Sequence, residues 1–276
     1  METFELNKIY NEDCLETMGR MPDGFIDLTV TSPPYDNMRR YKDGVDKTWG
    51  ESVWKPIIRE LYRVTKDGGV VVWIVSDATS NGSESGTSFR QALWAMECGF
   101  NLHDTMIWCK DGGGAIGSKY TYTQNFEYMF VWSKGVPKTV NLIYDKENVS
   151  FKKMGISEGA GLERKVTRGS NDKGSRGRCM YKPIEMSRRN NWWYLCPQKQ
   201  EGSGFHPAVF PEKLCRDHIM SWSKEEDIVY DPFMGSGTTA KMSQILNRKW
   251  IGSEISSEYC KKMEIRLAPN MVPRLF

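Results

Sequence analysis

Six consecutive apolar residues, Val-Val-Val-Trp-Ile-Val at positions 70–75, constrain the fold of this chain more than any other feature. A strand that is apolar on both faces needs a covering layer on each side, as a parallel strand has between two layers of helices. The run follows a helical pattern at residues 52–65, which the sequence Lys-Asp-Gly-Gly at 66–69 ends. A helix followed by a strand buried on both faces predicts an α/β fold.

Further elements alternate along the chain. We predict a helix at 89–98 and strands at 102–109 and 126–132, the last of them antiparallel and close to the sheet edge. Apolar runs at 25–30 and 227–230 predict two more strands. Of the 276 residues, 39% are hydrophobic and 26% are charged. A chain of this length and composition can form one α/β core with a smaller inserted region.

The cysteine and histidine content disfavours a metal site and a disulfide framework. Seven cysteines are scattered without a Cys-x-x-Cys pair, and the chain has only three histidines. We therefore expect reduced, mostly buried thiols and no bound metal. No apolar stretch approaches the ~20 residues that span a bilayer, and the first residues do not resemble a secretion signal. The expected location is cytoplasmic, without membrane association.

Positive charge is concentrated in one segment. Residues 152–189 carry eleven Lys and Arg against four Asp and Glu, a net charge of +7, whereas the whole chain has +3 and its remainder therefore −4. Apolar periodicity fades across 138–190, which predicts a separate module there. This charge suits contact with phosphates, although a solvated loop of no function has the same composition. The candidate phosphate-contacting residues are Arg39, Arg40, Arg168, Lys173, Arg176 and Arg178.

The first chemical motif, Ser32-Pro33-Pro34-Tyr35, follows the strand at 25–30. Open α/β sheets bind their ligands at this end of the strands. Two prolines remove backbone donors and leave carbonyl oxygens free to accept hydrogen bonds, for example from an exocyclic amine. Tyr35 offers a face for stacking, and the Ser32 hydroxyl can both donate and accept. The motif predicts a pocket for an extrahelical base; the alternative is a Pro-rich turn that merely ends a strand.

The second motif is Asp-Pro-Phe-Met-Gly-Ser-Gly-Thr-Thr at 231–239, between the strand at 227–230 and a helical pattern at 239–247. It lacks the Gly-Lys-Ser/Thr ending of a Walker loop and does not match Gly-x-Gly-x-x-Gly. Its glycines would instead let the backbone approach an adenosyl ligand closely. Glu254 lies 17 residues past Gly237, near the ~20 expected for a carboxylate that binds ribose hydroxyls.

Together these motifs resemble those of the β class of amino-group DNA methyltransferases, in which the catalytic motif precedes the cofactor motif. Residues 32–35 match the catalytic motif and residues 231–239 the methionine-and-adenosine motif. The resemblance covers about four-fifths of the chain. Further matching segments are His-Pro-Ala-Val-Phe-Pro at 206–211, Asn-Glu-Asp-Cys-Leu at 11–15, Ile-Gly-Ser-Glu at 251–254, and residues 107–110 and 125–134.

This resemblance implies a Rossmann-like methyltransferase fold, with a mixed seven-stranded sheet, helices on both faces and a permuted motif order. It divides the chain into a catalytic half at 1–137, a target-recognition insert at 138–190 and a cofactor-binding half at 191–276. It implies double-stranded DNA as a partner and S-adenosyl-L-methionine as the cofactor, and it is compatible with a homodimer. The implied catalytic residues are Ser32, Pro33, Pro34 and Tyr35. The implied cofactor-binding residues are Asp13, Cys14, Thr31, His206, Pro207, Phe210, Asp231, Pro232, Phe233, Gly235, Ser236, Gly237, Thr238 and Glu254.

The expected reaction is direct attack of an exocyclic nitrogen on the sulfonium methyl. Ser32 favours cytosine-N4 as the target, because relatives with Asp at this position mostly modify adenine-N6, which stays the nearest alternative. Carbon-5 methylation is disfavoured, because no cysteine follows a proline in a nucleophile turn. An enzyme acting on RNA or protein is less favoured, and a non-catalytic DNA-binding protein least, since both motifs are intact.

Overall fold

The structure is a computed structural model that describes residues 4–34, 49–110, 121–147, 162–165, 178–181, 186–196 and 209–268; for 162–165 and 178–181 it describes only the backbone. The helices are α1 (Cys14–Arg20), α2 (Glu51–Val64), α3 (Thr87–Glu97), α4 (Glu212–Trp222), α5 (Thr238–Ile245) and α6 (Ser257–Leu267). The strands are β1 (Lys8–Tyr10), β2 (Ile26–Thr31), β3 (Thr65–Val75), β4 (Thr79–Ser80), β5 (Ser83–Glu84), β6 (Asn101–Cys109), β7 (Phe126–Ser133), β8 (Tyr144–Glu147), β9 (Leu162–Lys165), β10 (Arg178–Tyr181), β11 (Met186–Arg188), β12 (Trp192–Tyr194), β13 (Ile228–Asp231) and β14 (Lys249–Ser253).

Eight strands form one mixed sheet in the order β1-β14-β13-β2-β3-β7-β6-β12. Only β7 is antiparallel to its neighbours, so the other seven strands run in the same direction. Helices cover both faces of this sheet. The Rossmann-like fold predicted from the motifs is confirmed.

The resemblance implied seven strands, whereas the sheet has eight, and the three-residue β12 outside β6 was not predicted from the sequence. β12 has only three residues, too few for a periodic pattern to show in the sequence. Tertiary contacts hold it in place: the buried Trp193 ring stacks on His218 at 4.5 Å, and Trp108 Nε1 donates to Leu195 O at 2.9 Å. β7 is antiparallel as predicted, but it pairs with β3 and β6 and is therefore an interior strand.

The core explains why the β3 sequence is apolar throughout residues 70–75. Each of these side chains is at most 1% exposed, and Trp73 stacks on Trp132 of β7 with ring centroids 5.4 Å apart. Helix α2 contributes a buried apolar face to the same cluster, including Trp54, Ile58 and Leu61. Burial on both faces fixes β3 at the centre of the sheet, beside β2.

By its contacts the chain divides into two units. The larger comprises Met1–Asn141 with Asn191–Phe276, and the smaller comprises Leu142–Asn190. In the smaller unit the described strands form two antiparallel pairs, β8 with β11 and β9 with β10. Target recognition by this unit stays a prediction. Among the described residues, no helix is long and apolar enough to cross a membrane.

Candidate active site

Seven strands of the sheet end at the same edge, because all strands except β7 are parallel to one another. The fold brings both predicted motifs to this edge. Ser32, Pro33 and Pro34 follow β2, and Asp231 ends β13, the strand beside it. Glu254 follows β14, and Asp13 begins the turn into α1 shortly after β1. Residues separated by more than 200 positions thus share one site.

Asp231 connects the two motifs directly. Its side chain is 1% exposed, and Oδ1 accepts hydrogen bonds from Thr31 Oγ1 at 2.6 Å and from the Phe233 backbone nitrogen at 3.0 Å. Thr239 Oγ1 donates to Oδ2 at 2.8 Å and lies 3.2 Å from Val30 O. Burial raises the pKa of the Asp231 carboxyl to about 6, although these three hydrogen bonds lower it. The carboxylate therefore joins β2, β13 and the start of α5.

Glu254 fixes the turn between β13 and α5. One carboxylate oxygen, Oε2, accepts from the Gly235 nitrogen at 2.9 Å, and Oε1 accepts from the Ser256 nitrogen at 2.8 Å. Gly235 and Gly237 have φ values of 53° and 80°, in the left-handed region that favours glycine. This explains why the motif has glycine at both positions, and Thr238 then begins α5.

Arg266 was missed by the sequence analysis, although it supports the same turn. Its buried guanidinium donates from Nη1 to Ser236 O at 2.6 Å and from Nη2 to Glu212 Oε1 at 2.7 Å. Lys241 also contacts Glu212 Oε1, at 3.1 Å. Arg266 lies in an ordinary helical pattern far from either motif, so the sequence carries no signal for this contact.

The predicted residues Asp13 and Cys14, near β1, both interact with the protein itself. Asp13 caps α1 by accepting from the Leu15 nitrogen at 2.9 Å. Cys14 is buried, and burial raises the pKa of its thiol far above the ordinary value, so it stays protonated at neutral pH. Asn11 Nδ2 donates to Glu254 O at 2.8 Å and joins the ends of β1 and β14.

Two further polar groups at this edge were not predicted. Asp77 follows β3, is 1% exposed, and accepts from Ser85 Oγ and the Ser88 nitrogen, both at 2.9 Å, at the start of α3. Lys110, after β6, forms an ion pair with the buried Glu127 of β7. The available sequence signal was their position near the end of a predicted strand: Lys110 directly follows one, and Asp77 is the second residue after another.

Some of the remaining predicted residues are among those that the structure describes, and others are not. Pro33, Pro232, Ser236 and Thr238 are buried; Ser32, Pro34, Phe210 and Phe233 are half-buried. Arg178 lies in β10, where only the backbone is described. The predicted residues that lie outside the described residues are Tyr35, Arg39, Arg40, Arg168, Lys173, Arg176, His206 and Pro207.

The described cysteines are all free thiols: three are buried, two half-buried and one exposed. Within the described part of the chain, no group of three or more His, Cys, Asp or Glu side chains could hold a metal ion. Burial also raises the pKa of Cys215, and that of Cys260 to about 12, so neither thiol is ionised near neutral pH.

Both motifs thus lie at one edge of the sheet, and the Ser-Pro-Pro segment precedes the Gly-Ser-Gly turn in the chain. The family model of N6 and N4 DNA methylases, described as DNA methylase, matches residues 26–265. The chain belongs to this family of amino-group DNA methyltransferases.

Individual proteins agree with this classification. The orphan methyltransferase M.BamHII of Bacillus amyloliquefaciens is 50% identical over 252 residues, covering 89% of both chains. The solved PvuII DNA methyltransferase (cytosine-N4-specific) has a TM-score of 0.67 and 20% identity, and the match covers 99% of this chain and 89% of that chain. The structure of an M1.HpyAVI–SAM complex has a TM-score of 0.57 and 22% identity, and the match covers 94% of this chain and 99% of that chain.

Proposed function

We propose that this DNA methyltransferase transfers a methyl group to the N4 amine of cytosine in double-stranded DNA, with the target base rotated out of the duplex. The observation that carries the proposal is the 2.6 Å hydrogen bond from Thr31 Oγ1 to Asp231 Oδ1. It places the start of the Ser-Pro-Pro segment beside the start of the Gly-Ser-Gly turn. A base held by the first and a methyl donor held by the second would lie next to each other.

S-adenosyl-L-methionine is the cofactor, and it supplies an electrophilic methyl group on a sulfonium. The turn fits an adenosyl ligand. Glu254 accepts backbone N–H groups with both oxygens, and a carboxylate oxygen can accept more than one hydrogen bond, which suits ribose hydroxyls. Asp13 would approach the adenine, and the segment at 206–211 would pack against the methionine part. The remaining residues proposed to bind the cofactor are Cys14, Pro232, Phe233, Gly235, Ser236, Gly237 and Thr238. The side chains of Thr31 and Asp231, which the motifs also predicted, bond to each other and would support the turn without contacting the cofactor.

The Ser-Pro-Pro-Tyr segment would activate the amine. The lone pair of an exocyclic amine is delocalised into the base, so the nitrogen is a poor nucleophile. Ser32 and the Pro33 carbonyl would accept hydrogen bonds from its N–H groups and favour a more tetrahedral nitrogen, whose lone pair is then available for attack. One N–H proton would pass to solvent as the nitrogen gains the methyl group. Tyr35 would stack on the base. The basic insert would contact the phosphates, with Arg39 and Arg40 adding charge beside the catalytic segment.

Ser32 is the reason for proposing cytosine. Relatives with Asp at this position mostly modify adenine-N6, whereas Ser is commoner with cytosine-N4. The similar PvuII enzyme is itself named as cytosine-N4-specific.

The test is digestion of methylated DNA to nucleosides, followed by mass spectrometry. The expected product is N4-methyldeoxycytidine, formed by the wild type and lost in Ser32→Ala. N6-methyldeoxyadenosine as the only product would overturn the choice of base and establish adenine-N6 methylation instead. Absence of any methylated nucleoside would reject the proposed activity.

A further inference from the structure

Two threonines of β2 are both fully buried, but their hydroxyls have different surroundings. Thr29 Oγ1 makes no hydrogen bond within the described part of the chain. Thr31 Oγ1, two residues later on the same strand, donates to the Asp231 carboxylate at 2.6 Å. Leaving a buried hydroxyl unpaired is costly, and pairing one with a carboxylate gives a short, strong hydrogen bond. The Thr31 hydroxyl is therefore the one that has a specific partner.

The position of this contact matters as much as its strength. Backbone pairing between β2 and β13 runs from Leu28 with Val229 to Thr29 with Tyr230. The bond between Thr31 and Asp231 lies beyond the last of these pairs, where each strand passes into its functional turn. This hydrogen bond joins the two strands beyond the point where their backbone pairing ends.

The Asp231 carboxylate is already engaged by the protein. It accepts from three donors, the hydroxyls of Thr31 and Thr239 and the Phe233 nitrogen, which belong to three successive parts of the site. At 1% exposure it offers little surface to a ligand. Its geometry suits a bridge between protein segments better than a direct ligand contact.

We infer that Thr31 and Asp231 are positioning residues, which set the separation of the Ser-Pro-Pro segment and the cofactor turn for methyl transfer. The inference rests on the proposed function of these two segments. Methyl transfer requires the attacking nitrogen and the methyl carbon at near-attack distance, and a displacement of about 1 Å can slow such a step about a hundredfold. Substrate binding tolerates a small displacement better than the chemical step does.

The test compares isosteric substitutions in single-turnover methyl transfer with saturating cofactor and duplex DNA. Thr31→Val removes only the hydroxyl, Thr31→Ser keeps it, and Thr29→Val is a matched control on the same strand. We expect Thr31→Val to slow transfer about tenfold, with a change below twofold in the dissociation constant of S-adenosyl-L-methionine, measured by calorimetry. Thr31→Ser and Thr29→Val should each stay within about twofold of the wild-type rate.

Two results would overturn the positioning role: Thr31→Val transferring as fast as Thr29→Val, or Thr31→Val weakening cofactor binding as much as it slows transfer. If Thr31→Val does not fold by circular dichroism, Thr31→Ala against Thr31→Ser isolates the same hydroxyl, and equal rates would reject the role. Ser32→Ala separates this inference from the proposed function. A wild-type rate in Ser32→Ala contradicts the proposed catalytic segment, whereas a slow Ser32→Ala with a normal Thr31→Val contradicts the positioning role alone.

Discussion

Replacing Asp231 by asparagine should change how the stability of the protein depends on pH. The pKa of this carboxyl is about 6 in the fold, against an ordinary value of 3.8. A raised pKa means that the folded protein keeps a proton which the unfolded chain has lost, so stability falls as pH rises through this window. At about 1.4 kcal/mol for each of roughly two pH units, ionised Asp231 costs the fold about 3 kcal/mol at neutral pH.

Asp231→Asn removes this titration and nearly preserves the shape of the side chain. We expect the stability of the wild type relative to Asp231→Asn to fall by roughly 1 kcal/mol between pH 5 and 7, and to be nearly constant above pH 7. The measurement is urea unfolding of both proteins at each pH, because groups that titrate alike in both cancel in the difference. Cys215 and Tyr230, whose pKa values burial raises, stay neutral throughout this range.

Thr31→Val provides a control for the cause of the shift. It removes a donor that lowers the Asp231 pKa, so the pH-dependent window should extend above pH 6. A difference between wild type and Asp231→Asn that is flat from pH 5 to 7, or that grows with pH, would refute the reasoning. Either result would mean that the carboxyl is ionised in this range without cost to the fold.

Three further changes test other parts of the site. Tyr35→Ala should lower turnover by about one to two orders of magnitude with little change in cofactor affinity, since stacking contributes roughly 1–3 kcal/mol per base; wild-type turnover would place the target base elsewhere. Gly237→Val should weaken S-adenosyl-L-methionine binding in calorimetry, since φ is 80° and an added Cβ would lie 3.2 Å from Met263; unchanged affinity would remove the turn from the cofactor site. Combined alanine substitutions in the basic insert should weaken DNA binding and reduce its dependence on salt while cofactor affinity is kept, and an unaltered salt dependence would exclude phosphate contact. The residues for this last variant are Arg168, Lys173, Arg176 and Arg178.

The sequence alone determined the layer architecture and the two ends of the site. An apolar run such as residues 70–75 is stable as a strand only in a sheet that is covered on both faces. Its pattern therefore predicts burial without any tertiary information. The motifs at 32–35 and 231–239 are short continuous segments. Their turn chemistry depends on prolines in the first and glycines in the second, so it can be predicted from the sequence directly. Their common edge follows from parallel strands, since parallel strands end at the same side of a sheet.

The tertiary structure decided which side chains join these pieces. β12 is a strand because Trp193 stacks on His218 and Trp108 bonds to Leu195 O, contacts that no periodicity within three residues could indicate. Arg266 is another such case, because its partners Ser236 and Glu212 are remote from it in sequence. A hydrogen bond such as that from Thr31 to Asp231, 200 positions apart, depends on distance and direction in space. Hydrophobic pattern and turn chemistry are properties of neighbouring residues, whereas the partner of a buried polar group is fixed only when the strands have paired.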